Sequence, residues 1–315
     1  MGRILLIGGA GFIGAHLARE LSERGRDVVV LDDDRAWTDD DEAAVRARAW
    51  RRRTLLRDAD LRHGAADDPL ALAEVLTTTP PDAVVHLANL PLVAVADRDP
   101  ARARAAIVGT TAAVVAAVAR HAPHARLTYV SSSMVYGDFV RDPQPETARL
   151  APREPYGQAK LDAERLVRDS WTSWTIVRPS AVYGPGDGHR RFITRLVEAA
   201  VDEHPLRLTA DPDVRLDFTH VADVARGLAD AALSPAAERG TFNLAAGRAR
   251  SLVEAIDAVR ALGFPVAVEP VVAPAVRPRR GTLDIAHARD VLGYAPRFSL
   301  EAGLAAHLDV ALAPA

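Results

Sequence analysis

Residues 3 to 14, RILLIGGAGFIG, constrain this chain more than any other stretch. RILLI is a short apolar run, Gly8-Gly9-Ala10-Gly11-Phe12-Ile13-Gly14 ends it, and Ala15 to Arg24 follow with helical periodicity. A buried strand that breaks into a glycine turn and re-forms as a helix opens a βαβ unit. The glycines permit the tight turn, let backbone approach a pyrophosphate and allow close helix packing, while the helix N-terminus attracts phosphate charge. The reading is an α/β chain with a doubly wound parallel sheet and a dinucleotide site at Gly8, Gly11, Phe12, Ile13 and Gly14. A second buried run, Val28 to Leu31, ends in Asp32-Asp33-Asp34, eighteen residues after Gly14. A carboxylate there accepts hydrogen bonds from ribose hydroxyls and repels a 2′-phosphate, so Asp32 selects NAD over NADP.

A second constellation carries chemistry. Ser132 follows the apolar run Leu127 to Val130, and Tyr156 precedes Lys160 by four residues. Pro155 suits the first turn of a helix, because its missing N–H would be unpaired there anyway. Tyr156 and Lys160 then share one helical face, about one turn apart. A phenol with a free pKa of roughly 10 is a poor base at neutral pH, and an ammonium held close favours phenolate. Ser132 would sit at a strand's carboxyl end, where open α/β sheets place ligands. Together these three make a proton shuttle for an alcohol. Further strands are expected at Ala83 to Leu87 and Trp174 to Val177, and the strand ends Leu87, Ala88, Ser131 and Pro179, with Tyr156 and Lys160, complete the cofactor set.

Bulk properties narrow the classes. At about 100 to 200 residues per domain, 315 residues suggest two domains. A net charge of −3 gives no electrostatic reason to expect nucleic acid or an acidic membrane. The chain has no cysteine, which excludes disulfides and thiolate metal sites, and no H-E-x-x-H pattern, so no metal is expected. The apolar start is too short to span a bilayer, and without an export signal a cytoplasmic protein is expected. Arg46 to Arg57 holds six arginines around Trp50, read as a solvated helix beside an acidic loop.

The segments GGAGFIG at 8 to 14, SSSMVYG at 131 to 137, YGQAK at 156 to 160 and RPSAVYGPG at 178 to 186 resemble the extended short-chain dehydrogenase/reductase family, in particular its NAD-dependent nucleotide-sugar epimerases and dehydratases. The resemblance implies a Rossmann-type NAD domain (1–178 and 218–247) interleaved with a smaller C-terminal α/β substrate domain (179–217 and 248–315). It implies NAD as cofactor, Ser132, Tyr156 and Lys160 as catalytic residues, and a substrate site at Ser132, Ser133, Tyr183, Arg191, Arg215 and Arg279. It further implies a homodimer in which the alanine-rich helix at 101 to 120 pairs with the Tyr156 helix.

The expected reaction is 4-epimerisation of a nucleotide sugar, with transient oxidation at C4. A dehydratase would need an acid and a base where this chain has Ser133-Met134, which supply neither. A 4-ketoreductase or dehydrogenase with net redox remains open, as does a non-catalytic NAD-binding regulator. The chain departs from the family pattern at Ala65, where an aspartate near the adenine amine is usual, at Ala106 and Ala181, where asparagines are usual, and at Leu216, where a diphosphate arginine is usual.

Overall fold

The computed structural model describes residues 2–37, 42–170, 173–208, 211–271 and 278–313. The first half alternates strand and helix: β1 (Arg3–Ile7), α1 (Phe12–Glu23), β2 (Asp27–Asp32), α2 (Glu42–Thr54), β3 (Asp60–His63), α3 (Pro69–Thr78) and β4 (Ala83–His86). The crossover from β4 runs through α4 (Val93–Arg98), α5 (Pro100–Arg104), one π turn at Ala105–Gly109 and α6 (Thr110–His121) into β5 (Arg126–Val130). Then come a short 3₁₀ turn at Ser133–Tyr136, α7 (Pro155–Arg168) and β6 (Trp174–Pro179).

The second half is less regular: β7 (Val182–Tyr183), α8 (Phe192–Val201), β8 (Leu206–Leu208), β9 (Arg215–Leu216), β10 (Thr219–His220), α9 (Val221–Leu233), β11 (Thr241–Leu244), β12 (Arg250–Ser251), α10 (Leu252–Ala261), β13 (Val268–Pro270), α11 (Ala286–Leu292) and α12 (Leu300–Leu312).

Seven strands form one parallel sheet in the order β11-β6-β5-β4-β1-β2-β3. The order reverses beside β1: the chain first winds toward β3, then returns to place β4 on β1's other side. Ligands bind outside the carboxyl ends of the strands at such a switch point. The central strands are apolar along their length because helices cover both faces. The edge strand β3, Asp60-Leu61-Arg62-His63, is exposed throughout, and its charges discourage pairing with another chain.

One face of the sheet packs on α1, α9 and α11 through Leu17, Leu21, Leu228 and Ala288. The other packs on α3, α6 and α7 through Leu72, Val114, Ala159 and Val167. Each large aliphatic side chain so buried contributes about 1.5–3 kcal/mol. A separate cluster joins α8, α10 and α12 around Tyr183, Leu196, Ile256 and Leu304. Residues Leu283, Ile285, Ala288 and Tyr294 pack into the first cluster, so part of the stretch 248–315 expected in the smaller domain belongs to the larger core.

The segment Pro100–His121 is apolar enough and, at 22 residues, long enough to cross a bilayer by composition alone. In the fold it is the β4-to-β5 crossover, with Thr111, Val114 and Val118 buried. The arginine-rich helix α2 is not simply solvated, as its charge suggested. Arg51 is buried, its Nε donating to the Ala10 carbonyl at 3.0 Å and Nη1 to the Gly186 carbonyl at 2.7 Å.

Candidate active site

The glycine turn is shaped by close approach. Gly8 takes φ +81°, and a Cβ there would lie 2.4 Å from the Ala88 nitrogen; one at Gly14 would lie 2.7 Å from the Gly9 Cα. Only glycine lets the β1–α1 turn lie against the end of β4 in this way. Gly11 caps α1 with no side-chain bond, leaving the first amides of the helix facing the cavity. That cavity is lined by Gly8, Gly11, Phe12, Ile13, Gly14, Asp32, Leu87, Ala88, Ser131, Lys160 and Pro179, so the sheet topology brings nearly the whole expected cofactor set to one place.

Asp32 ties the turn together. Its Oδ2 accepts the Ala10 N–H at 2.9 Å and its Oδ1 the Asp34 N–H at 2.9 Å. Burial pushes its carboxyl above the usual range against those two bonds. Each oxygen keeps a second lone pair for a ribose hydroxyl. A cradle that a Cβ would fill, an open helix N-terminus and a strand-end carboxylate fit a dinucleotide.

Beside the Ser131 and Lys160 wall of the cavity the sequence constellation assembles. Ser132 follows β5 and caps the 3₁₀ turn, its Oγ accepting the Met134 N–H at 3.2 Å, and its hydroxyl lies near the Tyr156 phenol. Lys160, 3% exposed, donates from Nζ to the Val130 carbonyl at 2.9 Å. Its Nζ stands 5.8 Å from the centre of the Tyr156 ring. Among the 39 lysine and arginine residues it is the only lysine, a signal the motif reading passed over. Arginine holds its proton throughout the accessible pH range, so a site needing a compact, titratable cation keeps lysine.

Burial raises Tyr156 above its ordinary value, and the Arg191 cation and the nearby Ser132 hydroxyl oppose this. Lys160 is itself lowered to about 7 by burial, partly offset by Glu164. Arg191 therefore adds a permanent positive charge near the phenol to that of Lys160. Arg191 lines the cavity, Nη1 pairing with both Asp187 oxygens at 3.1 Å and Nη2 donating to the Pro91 carbonyl at 3.2 Å. Burial works against the Asp187 carboxylate, yet Arg191 and His189 hold it below the usual range.

Of the six expected substrate residues, Arg191 lines the cavity, Ser132 and Ser133 follow its Ser131 wall into the 3₁₀ turn, and three lie elsewhere. Tyr183 is buried in the smaller core, its hydroxyl directed at the Leu300 carbonyl at 3.4 Å. Arg215 sits on the antiparallel β9–β12 pair, bonded to the Ala249 carbonyl at 2.6 Å and to Glu254 at 3.4 Å. Arg279 is exposed and holds the Phe139 carbonyl at 2.8 Å. Its neighbour Arg280 instead reaches Ser133, Nη1 donating to the carbonyl at 3.0 Å and Nη2 bonding the hydroxyl. Arg277 of the same motif lies outside the described residues. Ala106 lines the cavity on the π turn, and Asp67, two residues beyond Ala65, lines it beside Arg35 at 3.4 Å.

A family model described as "NAD dependent epimerase/dehydratase family" matches residues 4–245. UDP-glucose 4-epimerase 4 of Oryza sativa subsp. japonica is 30% identical over 281 residues, covering 81% of this chain and 75% of that protein. Among solved structures, the UDP-glucuronic acid 4-epimerase of Bacillus cereus, in complex with UDP-glucuronic acid and NAD, superposes with a TM-score of 0.85 at 25% identity, covering 98% of each chain. MoeE5, in complex with UDP-glucuronic acid and NAD, gives 0.82 at 31% identity, over 98% of this chain and 99% of that one.

Proposed function

This chain belongs to the NAD dependent epimerase/dehydratase family, and from that premise we propose that it is a nucleotide-sugar 4-epimerase. The observation that carries the reading is the meeting of Ser132, Tyr156 and Lys160 beside the glycine-loop cavity, with Lys160 fixed on the Val130 carbonyl and 5.8 Å from the Tyr156 ring centre. NAD, when bound, supplies the acceptor and later the donor for the sugar's C4 hydride. Gly8, Gly11, Phe12, Ile13 and Gly14 would hold its pyrophosphate end, and Asp32 a ribose. Lys160 and Ser131, which line the same cavity, would hold the nicotinamide end.

Tyr156 takes the proton of the sugar 4-hydroxyl while Ser132 holds the same oxygen, and the 4-keto sugar accepts that proton back after turning in the site. Arg191 steadies the phenolate, and its place in the cavity suits an anionic group on the substrate, either the diphosphate or a carboxylate at C6. Structures similar to this chain hold UDP-glucuronic acid or UDP-glucose, and Arg191 is what favours the uronic acid sugar between them. Ser133, bonded by Arg280, and Met134 leave no acid–base pair for eliminating water. A homodimer through α6 and α7 is part of the same reading, since Ala112 and Ala116 leave a small-residue face of α6 exposed.

The test is a panel of UDP-, GDP-, dTDP- and ADP-sugars, neutral and uronic, incubated without added cofactor and followed by NMR of the C4 configuration. Inversion at C4 without NADH release supports the reading. Stoichiometric NADH release with product overturns it in favour of a dehydrogenase.

A further inference from the structure

Glu164 lies one turn beyond Lys160 on α7 and is fully buried. The proposed reaction gives it no task, yet three elements meet on its carboxylate. Oε1 accepts the Ser131 hydroxyl at 2.6 Å, from the end of β5, and the Arg178 Nε–H at 2.8 Å, from β6. Oε2 accepts Arg178 Nη2 at 2.7 Å and lies 3.5 Å from Arg168 Nη2. Arg178 in turn donates from Nη1 to the Tyr136 hydroxyl at 3.0 Å and the Glu146 carbonyl at 3.2 Å, and Tyr136 donates to Asn243 on β11 at 2.7 Å.

A buried ion pair is weak evidence for stability, because desolvation cancels much of the attraction. Its position supplies a better reason for its presence. Lys160 grips the Val130 carbonyl and Glu164 grips the Ser131 hydroxyl, so two successive turns of α7 hold neighbouring groups of one peptide turn. Ser132 comes next in the chain, and Tyr156 lies one turn before Lys160, its ring centre 5.8 Å from the Lys160 Nζ. The register of β5 against α7 is thus pinned at two points on one side of the reacting groups. We propose that Glu164 is the positioning residue that locks the end of β5 to α7 and so aligns Ser132, Tyr156 and Lys160. The proposal rests on those three being the reacting groups. A carboxylate serves better than a neutral acceptor, because it also faces a titrating cation: burial pulls Lys160 down to about 7 and Glu164 opposes it.

Lys160, as the one lysine of the chain, makes the proposal directly measurable. A lysine-specific carbon-13 label gives a single ε-position signal, whose titration reports this side chain alone and needs no substrate. Two variants are compared with the wild-type holoenzyme: Glu164→Gln, and Glu164→Gln with Arg178→Met, which leaves no buried guanidinium without its counter-charge. With folding verified by near-UV circular dichroism, the variants should titrate Lys160 at lower pH than wild type. They should also lose about tenfold to a hundredfold in kcat, the effect of misplaced reacting groups, with KM little changed. A folded variant that keeps the wild-type kcat overturns the proposal, because the reacting groups are then aligned without the carboxylate, and so does one with the wild-type Lys160 titration, because Glu164 then does not act on that side chain. The titration stands apart from the nucleotide-sugar panel, so failure of the functional reading and failure of the Glu164 assignment are separable.

Discussion

The two ends of the cavity are built differently. The dinucleotide end is made of backbone: Gly8 and Gly14 in contacts no side chain tolerates, amides at the start of α1, and Asp32 tying the turn to β2. The end proposed for substrate carries long side chains on irregular segments, with Arg191 held by Asp187 and the Pro91 carbonyl. Backbone sites leave a sequence signature, because only glycine satisfies them. Side-chain sites depend on which way each residue points, which a shift of one position reverses on a strand.

The sharpest way to probe this contrast is at the junction of the two ends. Tyr156→Phe should lose about a thousandfold in kcat, within the range for a missing acid–base group. NAD binding, measured by calorimetry, should be retained. Equal loss of both would place the phenol in the cofactor end instead.

The next effect is on stability. Lys160 gives up its proton at about 7 in the folded chain, against 10.5 when unfolded. Below pH 7 both states bind the proton, and the folded state carries the full cost of a buried ammonium. Between about 7 and 10.5 the folded state sheds it while the unfolded chain keeps it, so wild-type stability rises with pH. Lys160→Met removes that dependence. It should therefore be the more stable protein below pH 7, by on the order of 4 kcal/mol, with the gap in Tm closing as pH rises toward 10.5. A gap that does not change over this window would contradict the burial of a titrating lysine.

Smaller effects separate the arginines. Arg191→Met should lower kcat/KM about tenfold to a hundredfold, as expected for lost hydrogen bonds to a charged group, and most for uronic substrates. Arg215→Ala and Arg279→Ala should stay within about threefold of wild type, since exposed ion pairs contribute little. A loss at Arg215 comparable to that at Arg191 would show that the substrate end extends to β9.

These arginines also show why legibility was uneven. The strand-turn-helix at 3 to 24 and the placing of Tyr156 and Lys160 together on α7 follow from spacing, because local geometry fixes them. Arg215 lies away from the cavity, paired with Glu254 across an antiparallel pair that closes far along the chain. The reach to Ser133 belongs to Arg280, the neighbour of Arg279, a difference of one residue that spacing does not resolve. Arg51 was hidden by its charged neighbours: Trp50, packed against Gly186, was the apolar clue to a buried face of α2. Glu164 had no signal beyond its spacing from Lys160, since its partners Ser131 and Arg178 come from two separate strands.

The most direct measurement uses a sugar nucleotide carrying deuterium at C4, incubated with the purified protein in the absence of free cofactor. If hydride leaves C4 and returns within one closed site, the product is inverted at C4 and keeps its deuterium. Inverted product that has exchanged the label, or oxidised product with the label appearing in free NADH, would contradict the account.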